Sequence, residues 1–406
     1  MTPMMTTKII AEQQPVEQPQ LTSLRFFAAF AVLCSHLIFL REIDNPIKPI
    51  AIIFFNEGYS GVTFFFVLSG FILTHAYHNG LIQKTLSTKT YLLLRLSRIW
   101  PLHVITALPF ICYFLYRHSE DLSSIVTVNV LLLQSWVPLA KYYMSLNAVS
   151  WSLSDELFFY VSFILLVRFS VKSLKKAALA WFCVIATAAA IMIFYGYGYW
   201  AGPNGELKIS HWLFYINPAV RLLDFMVGIL VYRLTFVKTN KSRNASLLEI
   251  ASVGCLILGA YIYSTFVLPE ILRAQLLYLP LMAFIIYSFS NGTGILSKFL
   301  KRKTLVLLGE ASFSLYLVHN PIIMFAYSAY QKMSLNVPIL IFSIILMACC
   351  VIASLITYKF IELPIHRYLK KQIKSRDKSR LVSSNHPPGA ARSRPQHPLV
   401  AGDDPQ

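Results

Sequence analysis

Two ionisable side chains stand in an otherwise mostly apolar stretch, Leu24–His36, which reads LRFFAAFAVLCSH. They are Arg25 and His36, eleven positions apart. On a helix that spacing is about three turns, so both lie on one face, roughly 16 Å apart along the axis. Arginine can hold an anion, and a neutral imidazole can take a proton. Two such groups on one face of a membrane-length helix are costly, and they mark a pathway or a reaction site. The alternative is an arginine reaching to the membrane interface and a histidine bonded to a neighbouring helix.

Further candidates lie downstream. The segment Trp151–Glu156 (WSLSDE) brings Asp155 and Glu156 together, and Tyr160 follows Glu156 by one helical turn. A carboxylate near a neutral histidine can orient the imidazole as a general base. The plainer reading is a helix start capped by Ser152 or Ser154, with acids at the positive end of the dipole. Arg95 and Arg98, three apart in RLSRIWP, share a face and suit phosphate or pyrophosphate. Ordinary anchoring at the cytoplasmic interface explains them as well. Arg221 and Asp224 read as an intrahelical ion pair, His319 precedes Asn320-Pro321, and Glu362 in IELP reads as structural. There is no GxSxG elbow, phosphate loop or HExxH, and no metal site is expected. The six cysteines all fall in apolar stretches with no ligand spacing and read as core residues.

The elements that must position these groups follow from composition. The 406 residues are 56% hydrophobic and 13% charged, with a mean hydropathy of +0.58. That points to an all-α, polytopic membrane helix bundle. Ten segments are long and apolar enough to span, at roughly 22–40, 59–77, 99–116, 150–168, 177–198, 214–235, 247–267, 272–290, 305–329 and 336–358. Residues 125–137 form a shorter run, read as re-entrant or interfacial. The net charge of +18 concentrates in alternate loops: residues 84–98, 168–176, 233–243 and 298–303 carry sixteen Lys and Arg. The other loops carry seven basic residues against seven acidic ones. This split requires both termini to be cytoplasmic and the number of spans to be even. It also explains the positive charge without nucleic acid. Three regions are expected: a cytoplasmic segment over 1–20, the membrane domain over 21–366, and a basic tail over 367–406, disordered from about Lys374.

Taken in order, the motifs resemble those of the acyltransferase-3 family of integral membrane O-acyltransferases. They are LTSLR…H (Leu21–His36), FFVLSGFIL (Phe65–Leu73), RLSRIWP (Arg95–Pro101), WSLSDE (Trp151–Glu156), Arg221–Gly228, GEAS…YLVH (Gly309–His319) and Y…ELP (Tyr358–Pro364). The resemblance implies transfer of an acyl group, usually acetyl, from cytoplasmic acetyl-CoA to a hydroxyl of a bacterial surface glycan. Such a glycan could be an O-antigen, an exopolysaccharide or a lipid-linked oligosaccharide. It implies residence in the bacterial cytoplasmic (inner) membrane among its lipids. By the resemblance Arg25 and His36 are the signature pair, Arg95 and Arg98 meet CoA phosphates, and Glu156 is the fourth-span glutamate. Asp155 departs from the apolar residue usual there, so either carboxylate could be the working one. Relatives with an attached extracytoplasmic hydrolase-like domain pass the acyl group onward. This chain has no such domain in its sequence and is expected to present its glycan to the membrane core directly. In that reading Glu156 orients His36, which serves as base or acyl carrier, and His319, Tyr160 and Ser154 are candidate oxyanion donors. The competing class is a proton-coupled transporter or flippase. The absence of a convincing internal repeat and the cytoplasmic arginine pair disfavour it.

Overall fold

In lipid every backbone amide must find its partner within the segment, so apolar runs of this length fold as helices. The computed structural model describes residues 18–117, 121–200, 207–237, 244–266, 268–333 and 336–384. Among these there is no strand. The main helices are α1 (Pro19–Ser35), α2 (Gly61–Ile82), α3 (Thr88–Tyr116), α4 (Trp151–Leu166), α5 (Val171–Phe194), α6 (Pro218–Val237), α7 (Ala245–Thr265), α8 (Tyr278–Ser290), α9 (Lys303–Glu310), α10 (Ser312–Lys332), α11 (Ile339–Thr357) and α12 (Leu363–Ser384).

Each of the ten expected segments falls on this helical framework. Eight helices are long and apolar enough to cross a membrane, and the pair α9 and α10, bent by 59°, makes a ninth. The tenth segment is α1, which has 17 residues and runs through His36 into a short helix, Phe39–Glu42. The chain is therefore a multi-pass membrane protein. The run at 125–137 is a helix of nine residues, Leu122–Val130, followed by a single 3₁₀ turn, too short to span. It is pinned to α3, where Trp100 Nε1 donates to the Val130 carbonyl at 3.0 Å.

Burial separates an inner layer from an outer one. Of the most apolar stretch in Ile209–Thr235, which holds most of α6, 83% is buried, against 17% for that of α5. The centre is the α2–α6 pair. A Cβ on Gly70 would stand 2.1 Å from the Phe225 carbonyl oxygen, and one on Gly228 would stand 1.9 Å from that of Val67. Each glycine admits the other helix's backbone, the close approach that a residue without a side chain, such as Gly70 in VLSGF, permits on sequence grounds alone. Arg221 and Asp224 form the expected ion pair at 3.0 Å, fully buried in α6. Arg221 also donates to Thr63 Oγ1 at 2.8 Å and to the Ala274 carbonyl at 2.9 Å.

The prolines are accommodated locally. Pro321 inside α10 has no N–H to give the carbonyl one turn back, that of Leu317. Asn147 Nδ2 supplies the missing donor at 2.8 Å. The tail differs from expectation. Where sequence composition reads as disordered from about Lys374, α12 continues to Ser384. Ile365, Leu369 and Ile373 recur every fourth residue, and α12 packs along α3. Residues 1–17 and 385–406 lie outside the described residues.

Candidate active site

Arg25 lies two turns into α1, half-buried. It makes no hydrogen bond or ion pair with a described residue. Arg98, Glu362, Glu156 and Arg95 all stand within its electrostatic reach. Arg98, on α3, is ion-paired with Glu362. Glu362 sits in a single π-helical turn, Tyr358–Glu362, that joins α11 to α12. Its second oxygen accepts from Ser314 Oγ at 2.6 Å, which ties the pair to α10. Arg95, one turn before Arg98, donates to Tyr160 Oη at 3.3 Å and lies 4.9 Å above that ring. The Tyr160 hydroxyl in turn donates to Glu156. Three guanidiniums thus meet two carboxylates, and the one left uncompensated is Arg25. An unpaired cation in an apolar bundle favours an anionic ligand.

His36 caps the end of α1. Its Nδ1 lies 2.8 Å from the Val32 carbonyl oxygen, one turn back. It also lies 3.4 Å from Nε2 of His319, which is fully buried on α10. The two rings meet edge to face, with centroids 4.9 Å apart. His319 Nδ1 faces the Leu315 carbonyl oxygen at 3.0 Å. The segment before α4 holds α10 in place. Tyr316 Oη donates to the Val149 carbonyl and lies against Ser152 Oγ, both at 2.9 Å.

The expected residues therefore fall into two groups joined by α1. One holds Arg25, Arg95, Arg98, Glu156 and Tyr160; the other holds His36 and His319. Glu156 makes no hydrogen bond to His36, contrary to the orienting role the sequence suggests. α4 packs on α2, α3 and α6 while α1 packs on α2, α9 and α10. Glu156 consequently faces Tyr160 and Arg95. Asp155 points away from both groups, fully buried beside Ser135, Arg221 and Asp224. The adjacent acids are thereby separated: Asp155 belongs to the packing around Arg221, and Glu156 to the arginine cluster. Ser154 is buried without a hydrogen-bond partner, and neither it nor Ser152 caps α4. Sequence reasoning missed Arg41, which donates to the Ser35 carbonyl at 3.3 Å and to Asn56, within electrostatic reach of His36. Its place five residues beyond His36 was the available signal, hidden because it reads as a loop charge.

The chain matches the family described as acyltransferase domain (acyltransferase-3) over residues 19–359. It belongs to that family. It is 30% identical over 333 residues to the acyltransferase MdmB of Streptomyces mycarofaciens, covering 77% of this chain and 80% of that protein. It is 24% identical over 395 residues to the peptidoglycan O-acetyltransferase OatA of Listeria monocytogenes, covering 91% of this chain and 60% of that one. The O-acetyltransferase OatA of Staphylococcus aureus is 25% identical over 374 residues, covering 86% and 57%. The chain thus spans somewhat over half the length of the OatA proteins it matches. No solved structure matches it. The family makes this membrane protein an acyltransferase, and both residue groups above lie within the matched region.

Proposed function

We propose that this protein is an O-acyltransferase of the bacterial cytoplasmic membrane. It takes an acyl group, acetyl first, from cytoplasmic acyl-CoA and gives it to a hydroxyl of a surface glycan. The observation that carries this reading is the unpaired Arg25, three turns along α1 from the paired His36. On the orientation set by the loop charges, Arg25, Arg95 and Arg98 lie on the cytoplasmic side and His36 lies towards the outside. The names of the OatA relatives supply the preference for acetyl and for a cell-envelope glycan.

In this scheme the thioester's phosphates engage the arginine cluster, with Arg25 free and Arg98 shared with Glu362. The thin acyl-bearing arm runs along α1 towards His36. There the acceptor hydroxyl loses its proton to the imidazole as its oxygen attacks the thioester carbonyl carbon. The carbon–sulfur bond breaks, the thiolate leaves, and the proton passes from His36 to sulfur. The products are an ester and free thiol.

The test uses surface glycan from a host lacking the gene, complemented with wild type, His36→Ala or Arg25→Ala. Ester-linked acyl groups are counted by mass spectrometry. Ester gained with wild type and lost in both variants at equal membrane abundance is the expected result. No ester change with wild type, in a host bearing suitable glycan, would move the reading to transport. Ester gain surviving His36→Ala would keep the activity and discard this base.

A further inference from the structure

His36 has no carboxylate bonded to it, so another group must hold its ring. We propose that His319 is a positioning residue that, together with the Val32 carbonyl, holds the His36 ring in its Nδ1–H form and leaves Nε2 as its basic atom. This rests on the acyl-transfer reading for its consequence, while the tautomer itself follows from contacts within the chain.

A carbonyl oxygen only accepts, so each ring nitrogen facing one must carry hydrogen. Nδ1 of His319 faces the Leu315 carbonyl at 3.0 Å and therefore bears its proton. Nε2 of the neutral His319 ring is then a bare acceptor. Nδ1 of His36 faces the Val32 carbonyl at 2.8 Å and bears its proton too. That one N–H points between the Val32 oxygen and His319 Nε2, 3.4 Å away, as a three-centre bond. Protonating His319 Nε2 would set N–H against N–H, so the contact needs the His319 ring neutral. The one ring nitrogen left bare on His36 is Nε2.

The consequence is chemical. When Nε2 takes the acceptor's proton, His36 becomes an imidazolium. Its Nδ1–H bonds to Val32 and His319 then become charge-assisted and strengthen. His319 takes the place that a carboxylate has in a triad, but as a neutral acceptor. It stabilises the imidazolium less than a carboxylate does, which favours onward transfer of the proton to the departing thiolate. If His36 instead carries the acyl group, the same Nε2 lone pair is the nucleophile. The arrangement also removes His319 as an oxyanion donor, since its single N–H is committed to Leu315.

The experiment has two arms on the full chain. In the first, the protein is labelled with ¹⁵N-histidine in detergent, and the His36 imidazole is assigned by loss of signal in His36→Gln. The expected spectrum shows His36 as the Nδ1–H tautomer in wild type and in His319→Leu, where the Val32 carbonyl remains, with the Nδ1 signal moved in the variant by loss of its second acceptor. A wild-type His36 in the Nε2–H form would overturn the proposal. The second arm feeds labelled acetyl-CoA to membranes carrying acceptor glycan. His319→Leu should lower kcat by about tenfold or more, as part of the ~10²–10⁴ a positioned base contributes, with KM for the thioester unchanged. His319→Gln keeps an acceptor oxygen and should retain most of kcat. Leu and Gln variants of equal kcat, with an unmoved His36 Nδ1 signal in His319→Leu, would overturn the positioning role. A wild type that transfers no acyl group would sink the proposed function, and the first arm would still decide the tautomer.

Discussion

Arg25 and Arg98 have the same charge and neighbouring positions, yet their removal should have opposite signatures. Among the described residues Arg25 has no bonded partner, so Arg25→Ala breaks no ion pair with them. Its loss should fall on the donor. A hydrogen bond to a charged group contributes about 1.5–3 kcal/mol, so KM for acyl-CoA should rise roughly tenfold to 150-fold. The melting temperature in detergent should hold. Arg98 is different, because its side chain is 21% exposed and that of its partner Glu362 only 2%. Arg98→Ala leaves a carboxylate buried with only Ser314 Oγ to support it. Breaking a buried pair from one side costs about 3–5 kcal/mol, and the partial exposure and the serine place this case near the lower end. The melting temperature should drop by several degrees. Adding Glu362→Gln should restore most of it, because the second change removes the orphaned charge. The assay is a four-protein cycle of thermal unfolding, with KM measured on each. If Arg25→Ala destabilises as much as Arg98→Ala, or Glu362→Gln fails to rescue, the account of which arginine is committed is wrong. The same logic makes Arg25 a cleaner probe of donor binding than Arg98.

Two further predictions concern the helices that carry the site. Gly228→Ala puts a methyl 1.9 Å from the Val67 carbonyl oxygen, against backbone that cannot swing aside. It should destabilise by about 1–3 kcal/mol, and combining it with Gly70→Ala should cost less than the sum, since both open the same contact; thermal unfolding of the three variants checks this. Asn147→Leu leaves the Leu317 carbonyl without its only donor and should cost about 1–3 kcal/mol. Adding Pro321→Ala gives that carbonyl an in-helix N–H and should recover stability, and no recovery would refute the proposed compensation.

What sequence made legible was the part that depends on one segment at a time. Apolar run length gave the helices. The three-residue spacing gave the Arg221–Asp224 pair, and Gly70 gave a point of close approach. What it hid depends on which helices are neighbours. Glu156 was expected to orient His36, but one segment does not say which way its side chain turns around the helix axis, and Glu156 meets Tyr160 instead. The α1–α10 contact, which brings His319 to His36 across 283 residues of chain, leaves no local pattern. The role of Glu362 was hidden for the same reason: its use is to hold Arg98 of α3 and Ser314 of α10. The extension of α12 was legible in principle, since Ile365, Leu369 and Ile373 recur at helical spacing. Their signal was diluted by the basic residues between them.

The two histidines and the arginine cluster lie on helices bound to one another at both ends. α10 touches α1 through His319 and reaches the arginine cluster through Ser314, five residues earlier on the same helix. A change at the donor end can therefore reach the acceptor end without crossing the bundle, by way of α10. Ser314→Ala removes one support of Glu362 without touching either reacting group. If α10 couples the two ends, this variant should alter kcat as well as the KM for thioester. A change in KM alone would confine the serine to the arginine cluster.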